Sequence, residues 1–303
     1  MSVRETMPMN RVKLKTPLLT EEHASILNDL KMSAVVSRRR IIEMGYTNHI
    51  RLHYGALMSM VEIMTALYGA WLDVDPERPD WPERDRFVLS KGHGAPALYV
   101  ALWMRGFFDE SHFNGFRRLG SILQGHPDRL KTPGVDCSSG SLGQGFPVAC
   151  GMALGAKMDQ ASYRVYCLLS DGECNEGSVW EAAQIASNQG LGHIKVIMDR
   201  NRKSSYGWMA GRNDVEPLAD KWRAFNWAVF ECDGHDFVSI TGALAGAEQV
   251  EDRPAIVICH TVKGKGIPYV ENYPTKPNIL LTEEKYRECL AHLDQVESEL
   301  RDE

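Results

Sequence analysis

Apolar residues fall along this chain in two alternating rhythms. Short, nearly continuous apolar runs mark candidate strands at Asp85 to Ser90, Val165 to Leu169, Ile194 to Met198, Trp227 to Cys232 and Ala255 to Cys259. Between them apolar positions recur every three or four residues, the spacing of a helix with one buried face. This predicts helices over 21 to 44, with Ile26, Leu27, Leu30, Ala34 and Val35 as the stripe and Thr20 as candidate cap. It predicts others from Ser59 to Trp71, Ala95 to Met104, Val148 to Met158, Ser178 to Gln189 and Ser239 to Val250. The last, residues 282 to 303, is amphipathic, with Tyr286, Cys289, Leu290, Leu293 and Val296 on one face and charge on the other. Ser59 with Glu62, and Ser178 with Glu181, have the spacing of capping boxes, and Gly190 closes the helix before it.

Strand and helix alternating in this way predict an α/β fold, a parallel sheet with helices on both faces. No repeat, low-complexity tract or Gly/Ser linker divides residues 21 to 303, which read as one domain behind an N-terminal arm, residues 1 to 20. The segment from Tyr163 to Asn201 is the clearest unit. Strand, helix and strand at that spacing make a βαβ crossover, which is right-handed and brings both carboxyl ends to one edge of the sheet. Ligands of open α/β sheets bind at that edge. Asp171 and Asn201 emerge there, offering hard oxygen ligands with no Cys or His among them, a set suited to Mg²⁺ bridging to phosphate oxygens. An Asp-Gly after a strand is also an ordinary turn, and Asn an ordinary cap, so spacing alone leaves both readings standing.

Composition narrows the classes. A net charge of −6 over 303 residues gives no basic field for nucleic acid, and Arg38-Arg39-Arg40 reads as a solvated helix face. The seven cysteines (Cys137, Cys150, Cys167, Cys174, Cys232, Cys259 and Cys289) are scattered, mostly within apolar runs and never spaced Cys-x-x-Cys. They predict reduced core thiols and a cytoplasmic protein. No apolar run approaches the ~20 residues of a membrane span. The arm, with Arg4, Arg11, Lys13 and Lys15 among prolines, reads as an extension rather than a targeting segment.

Further chemistry sits in the loops. Lone histidines are mostly ordinary, but His53 lies in a Gly-bearing loop just before a helix N-terminus, where anions bind. Lys91-Gly92-His93-Gly94 follows a strand, and Gly125-His126-Pro127-Asp128 places a third histidine in a loop. The glycine-rich Ser138 to Gly145 has Val148 where a dinucleotide fingerprint needs its third glycine, and no strand directly precedes it, which disfavours NAD. Residues 202 to 216 form a polar loop too long for a plain connection, a candidate cover, and His260 to Gly266 is another basic, glycine-rich strand end.

Taken in order, these segments resemble the N-terminal, diphosphate-binding half of transketolase, a thiamine diphosphate enzyme. The resemblance runs nearly end to end: His53-x-Gly-Ala-Leu-Met-Ser, Ser-Lys-Gly-His93-Gly, Gly-His126-Pro-Asp, Ser-Leu-Gly-Gln-Gly, Asp171-Gly-Glu-Cys-Asn-Glu-Gly, Asp199-Arg-Asn201, Leu218-Ala-Asp-Lys-Trp-Arg-Ala-Phe, Asp233-Gly-His-Asp and Thr261-Val-Lys-Gly-Lys-Gly. It implies that Asp171, Asn201 and the main-chain carbonyl of Lys203 hold Mg²⁺, for which Ca²⁺ or Mn²⁺ can substitute. Gly172, His93 and Asn201 would bind the cofactor's diphosphate end, and Gly140 and Leu142 would lie against its rings. His53 and His126 would hold the sugar's hydroxyls and exchange protons, and Glu176 would join a carboxylate network at a subunit interface.

The family activates its cofactor with a glutamate on a pyrimidine-binding domain that this sequence lacks. The resemblance therefore implies a partner chain, an α2β2 heterotetramer, and transfer of a two-carbon ketol unit from an anionic ketose to an aldose. A deoxyxylulose phosphate synthase-like or 2-oxoacid decarboxylase-like enzyme half, or a non-catalytic assembly partner, are the alternatives. Where the family carries Trp-His-Gly, this chain has Lys276-Pro277-Asn278, which leaves the substrate open.

Overall fold

Each apolar run becomes a strand of one sheet. The computed structural model describes residues 14–19, 21–205, 207–271 and 278–302. Thr20, Lys276 and Pro277 lie outside the described residues, as do residues 1 to 13 of the arm. In chain order the elements are α1 (Ala24–Thr47), α2 (Tyr54–Met58), α3 (Val61–Ala66), β1 (Arg86–Leu89), α4 (Ala95–Arg105), α5 (Gly145–Met158), β2 (Val165–Ser170), α6 (Gly177–Asn188) and β3 (Ile194–Arg200). Then come the two-residue strands β4 (Lys203–Ser204) and β5 (Gly207–Trp208), α7 (Leu218–Ala224), β6 (Ala228–Asp233), α8 (Phe237–Glu248), β7 (Ala255–His260), α9 (Pro268–Glu271) and α10 (Glu283–Asp302).

The main sheet has the order β1–β2–β3–β7–β6, and every neighbouring pair is parallel. Side chains alternate across it. Tyr166, Leu168, Ile197 and Val257 join the core made with α1, α3, α4, α8 and α10. Val165, Cys167, Leu169, Val196, Met198, Ile256 and Ile258 face α5, α6 and α7. Helices on both faces bury the central strands β2, β3 and β7 almost completely, which is why their runs are nearly all apolar, whereas the edge strand β6 is partly exposed and carries Glu231. Lys195 interrupts one run, but its ammonium donates to the Val250 carbonyl at 2.6 Å, and burial pushes its pKa down to about 8.

Several boundaries differ from the sequence expectation, and the partners explain why. The helix expected from Ser59 to Trp71 starts two residues later, at Val61, and passes from α geometry into a wide π turn over Leu67–Trp71; a separate short helix, α2, ends before it at Met58. Ser59 caps nothing, because its hydroxyl donates to Asp199 at 2.7 Å, and Glu62 turns instead to Arg38 and His235. Likewise Ser178 donates to the Gly143 carbonyl at 2.8 Å, so α6 starts at Gly177 without a side-chain cap. In both places a distant partner outcompetes the local cap. Arg38-Arg39-Arg40 is not a solvated face either. Arg38 is buried against Glu62, Arg39 pairs with Asp294 and Glu297, and Arg40 with Glu43 and Glu110.

All seven cysteines are buried and free. No described helix is long and apolar enough to cross a membrane.

Candidate active site

The sheet order decides where a ligand fits. From β1 through β3 the chain steps in one direction, with α6 returning over one face. It then passes to the far edge at β6 and steps back to β7, with α8 over the other face. Loops leaving neighbouring β3 and β7 therefore diverge, and a crevice opens at their carboxyl ends. Asp171 and Gly172 follow β2, Asn201 and Lys203 follow β3, Lys91 and His93 follow β1, and Lys263 follows β7. All of them line one pocket, together with His53 at the start of α2.

Two oxygen donors meet there. Asp171 accepts backbone N–H groups from Gly172 at 2.7 Å and from Arg202, and Asn201 Oδ1 accepts from the Lys203 N–H at 3.1 Å. Burial and the neighbouring Asp199 carboxylate push Asp171 up to about 7, against the pull of those N–H groups and of Lys91. A buried carboxylate so disfavoured in its charged form gains from a cation beside it, and carboxyl and amide oxygens retain a second lone pair for one. The donor set therefore fits a hard divalent ion.

Asp199 lies beneath them, fully buried. It accepts from Ser59, from Thr261, from the ammonium of Lys91 and, at 3.5 Å, from Asn201 Nδ2. Burial alone would raise its pKa, but Lys91 and the hydroxyl donors hold it below the usual carboxylate range. Asp199 thus fixes the positions of three loops at once.

Cationic groups line the same pocket. Lys263 donates to the Ser204 carbonyl at 2.8 Å; burial lowers its pKa, opposed by Asp171 and Asp199. The His53 and His93 rings meet edge to face with centroids 5.3 Å apart. Burial, then Lys91, His53, Lys263 and His126, push His93 down to about 3, so its imidazole is neutral and can donate one N–H to an anion. Oxygen ligands and ammonium groups lining one pocket suit a diphosphate carrying its own metal.

The glycine-rich loop closes on this pocket by direct backbone contact. A Cβ on Gly92 would lie 2.8 Å from the Gly140 backbone, and one on Gly145 would lie 2.7 Å from Ser90 Cα. Glu173, which sequence reasoning passed over, locks the arrangement. It is buried, and it accepts from the Ser90 hydroxyl at 2.6 Å and the Gly143 N–H at 2.8 Å. Gly140 lies against the His126 ring, and Leu142 is half-buried in the same loop. His126 is exposed, and Glu176 is exposed at the N-terminus of α6. Neither lines the pocket with Asp171.

The expected cover over 202 to 216 is built in part as the β4–β5 pair, whose Lys203 ammonium sits 4.7 Å from the Trp208 ring centroid. Lys91, Asp199 and Lys263 are the charged residues in and beneath the pocket that spacing did not single out individually. Their signal was a charged side chain held at the end of an apolar run.

An open parallel sheet with carboxyl and amide oxygens and ammonium groups gathered at its switch point defines an α/β protein with a pocket suited to an anionic ligand. Residues 32–287 match the family model described as the transketolase thiamine diphosphate-binding domain. The chain is 42% identical over 243 residues to 6-deoxy-6-sulfo-D-fructose transketolase subunit SqwG of Clostridium sp. (strain MSTE9), covering 80% of this chain and 88% of that one. It is 36% identical over 266 residues to an apulose-4-phosphate transketolase subunit of Phocaeicola vulgatus, covering 88% and 94%. Transketolase from Leishmania mexicana superposes with a TM-score of 0.75 at 26% identity, over 90% of this chain and 46% of that one. The chain belongs to the transketolase family, as its thiamine diphosphate-binding portion. It spans just under half the length of the solved transketolase it matches.

Proposed function

We propose that this chain is the diphosphate-binding subunit of a two-chain, thiamine diphosphate-dependent transketolase, a transferase that moves a two-carbon ketol unit from an anionic ketose to an aldose. The observation that carries the reading is the meeting of Asp171, Asn201, His53, His93 and Lys263 in one pocket at the switch point. Asp171, Asn201 and the carbonyl of Lys203 would hold Mg²⁺, with Ca²⁺ or Mn²⁺ able to replace it. Gly172, the neutral His93 imidazole and the Lys263 ammonium would contact the diphosphate oxygens. Gly140 and Leu142 would flank the cofactor's rings. Bound thiamine diphosphate supplies the carbanion stabilisation that carbon–carbon cleavage requires.

The chain's own histidines handle protons. His53, beside His93, and His126, beside Gly140, would hold the sugar hydroxyls and pass protons to and from them, as suits an imidazole. Glu176, exposed at the head of α6, would contribute to a carboxylate network at a subunit interface. The activating glutamate and the groups gripping the sugar's anionic tail would come from a pyrimidine-binding partner subunit, in an α2β2 heterotetramer. Two relatives named as subunits, matched over 88% and 94% of their length, support a split enzyme. Their named substrates, a sulfo-fructose and an apulose phosphate, share an anionic tail and support an anionic ketose here. Free, buried cysteines support a cytoplasmic setting.

The test is reconstitution with the partner. Titrated with Mg²⁺ and thiamine diphosphate, the wild-type complex should bind the cofactor and transfer ketol units. The Asp171→Ala complex should assemble with at least about a hundredfold weaker metal-dependent binding, since a first ligand matters more than an outer-sphere partner. Cofactor binding unaffected by this change would remove Asp171 from the metal site.

A further inference from the structure

The Asp233-Gly-His-Asp turn between β6 and α8 takes no part in the pocket wall beside Asp171, yet its histidine is almost wholly engaged. The His235 side chain is 12% exposed. Its Nε2 accepts the backbone N–H of Val262 at 2.8 Å, and its Nδ1 lies 3.0 Å from Glu62. A backbone N–H can only donate, so Nε2 must present its lone pair. The proton is therefore on Nδ1, and it is donated to Glu62.

Glu62 is in turn bound by Arg38 at 2.6 Å, and Arg38 Nε donates to the Lys265 carbonyl at 3.0 Å. One buried carboxylate thus orients two donors, and these seize the 261–266 loop at Val262 and at Lys265. Lys263, between the two grips, enters the pocket, with its stem packed on Gly55 and the next N–H, that of Gly264, donated to the Gly55 carbonyl at 3.0 Å.

We propose that Glu62, His235 and Arg38 form a positioning device that sets the reach of Lys263 toward the cofactor's diphosphate. The proposal rests on the functional reading above. His235 touches no reacting atom, and it acts through the Val262 N–H. The required feature is an acceptor where Nε2 now lies. Glutamine is long enough to bring its carbonyl oxygen there, whereas asparagine reaches only the Nδ1 position and can replace only the bond to Glu62.

The experiment measures thiamine diphosphate affinity, by calorimetry in saturating Mg²⁺, for the complex with its partner subunit carrying wild-type chain, His235→Gln, His235→Asn or His235→Ala, with thermal melts alongside. Asn and Ala should each weaken cofactor binding on the order of fivefold, the usual net worth of one hydrogen bond. Gln should retain affinity near wild type. Equal affinity in all four complexes, or equal weakening in all three variants, overturns the proposal. A wild-type complex that does not bind thiamine diphosphate at all overturns the functional reading instead.

Discussion

Gly92 shows how little room the site's backbone leaves. With the Gly140 backbone 2.8 Å from where its Cβ would be, Gly92→Ala must push the His93 turn and the glycine-rich loop apart. It should cost about 1–3 kcal/mol of stability, as overpacking does. It should also weaken thiamine diphosphate binding, whereas Gly151→Ala, with nothing within 4 Å of its Cβ, should leave binding unchanged. Denaturant melts and cofactor titration of the two variants check this. At this scale the sequence disclosed the residues whose chemistry is local. Asp171 and Asn201 stood out because each ends an apolar run. Lys91 did not, because its meaning is its pairing with Asp199, 108 residues away, and no pattern along the chain links the two. Ser59 and Ser178 misled for the same reason, since each had a good local use that a distant acceptor displaced.

Between elements, the Glu62 carboxylate joins α3 to α1 through Arg38 and to the turn before α8 through His235. Burial alone would raise the pKa of Glu62, but Arg38 and His235 bring it below its ordinary value of 4.5. A depressed carboxyl contributes its stability in full above that ordinary value and loses it as pH falls from there toward the folded value, because the unfolded chain takes up the proton first. Stability measured by urea melts should therefore drop as pH goes below about 4.5. Glu62→Gln should be destabilised by about 3–5 kcal/mol at neutral pH, as when one partner of a buried pair is removed, and should fall less steeply in acid. Equal acid slopes would discharge Glu62 from this role. Element positions were largely legible. The five strands and most helices lie where apolar spacing places them, because burial on one or both faces writes itself into the sequence. Boundaries slipped where a cap was taken by a tertiary partner, and at Leu67–Trp71, where a π turn replaces regular helix.

For the whole molecule, Trp208 and Val262, 56% and 40% exposed, line a second hollow that shares Asn201, Lys203 and Lys263 with the pocket. Apolar groups beside a cofactor pocket accord with a partner chain completing the site. Mixed with its pyrimidine-binding partner, the chain should form a species of two copies of each, with ketol transfer absent from either chain alone. Light scattering and activity on the same fractions check both statements. A stable one-to-one species with full activity would overturn the proposed stoichiometry.

The sequence by itself determined that strands and helices alternate, that the thiols are buried, and that Asp171 and Asn201 stand at neighbouring strand ends. These follow from short-range rules, because periodicity and strand termination act over a few residues. Only the tertiary structure decided that the chain skips to β6 and returns to β7, which opens the crevice, and that Asp199 binds Ser59, Lys91 and Thr261 together beneath it. It alone showed Glu173 locking the glycine-rich loop and Arg38 buried rather than solvated. Such pairings are chosen by the geometry of the assembled sheet, which brings charges scores of residues apart into a setting where none can stay unpaired without large cost.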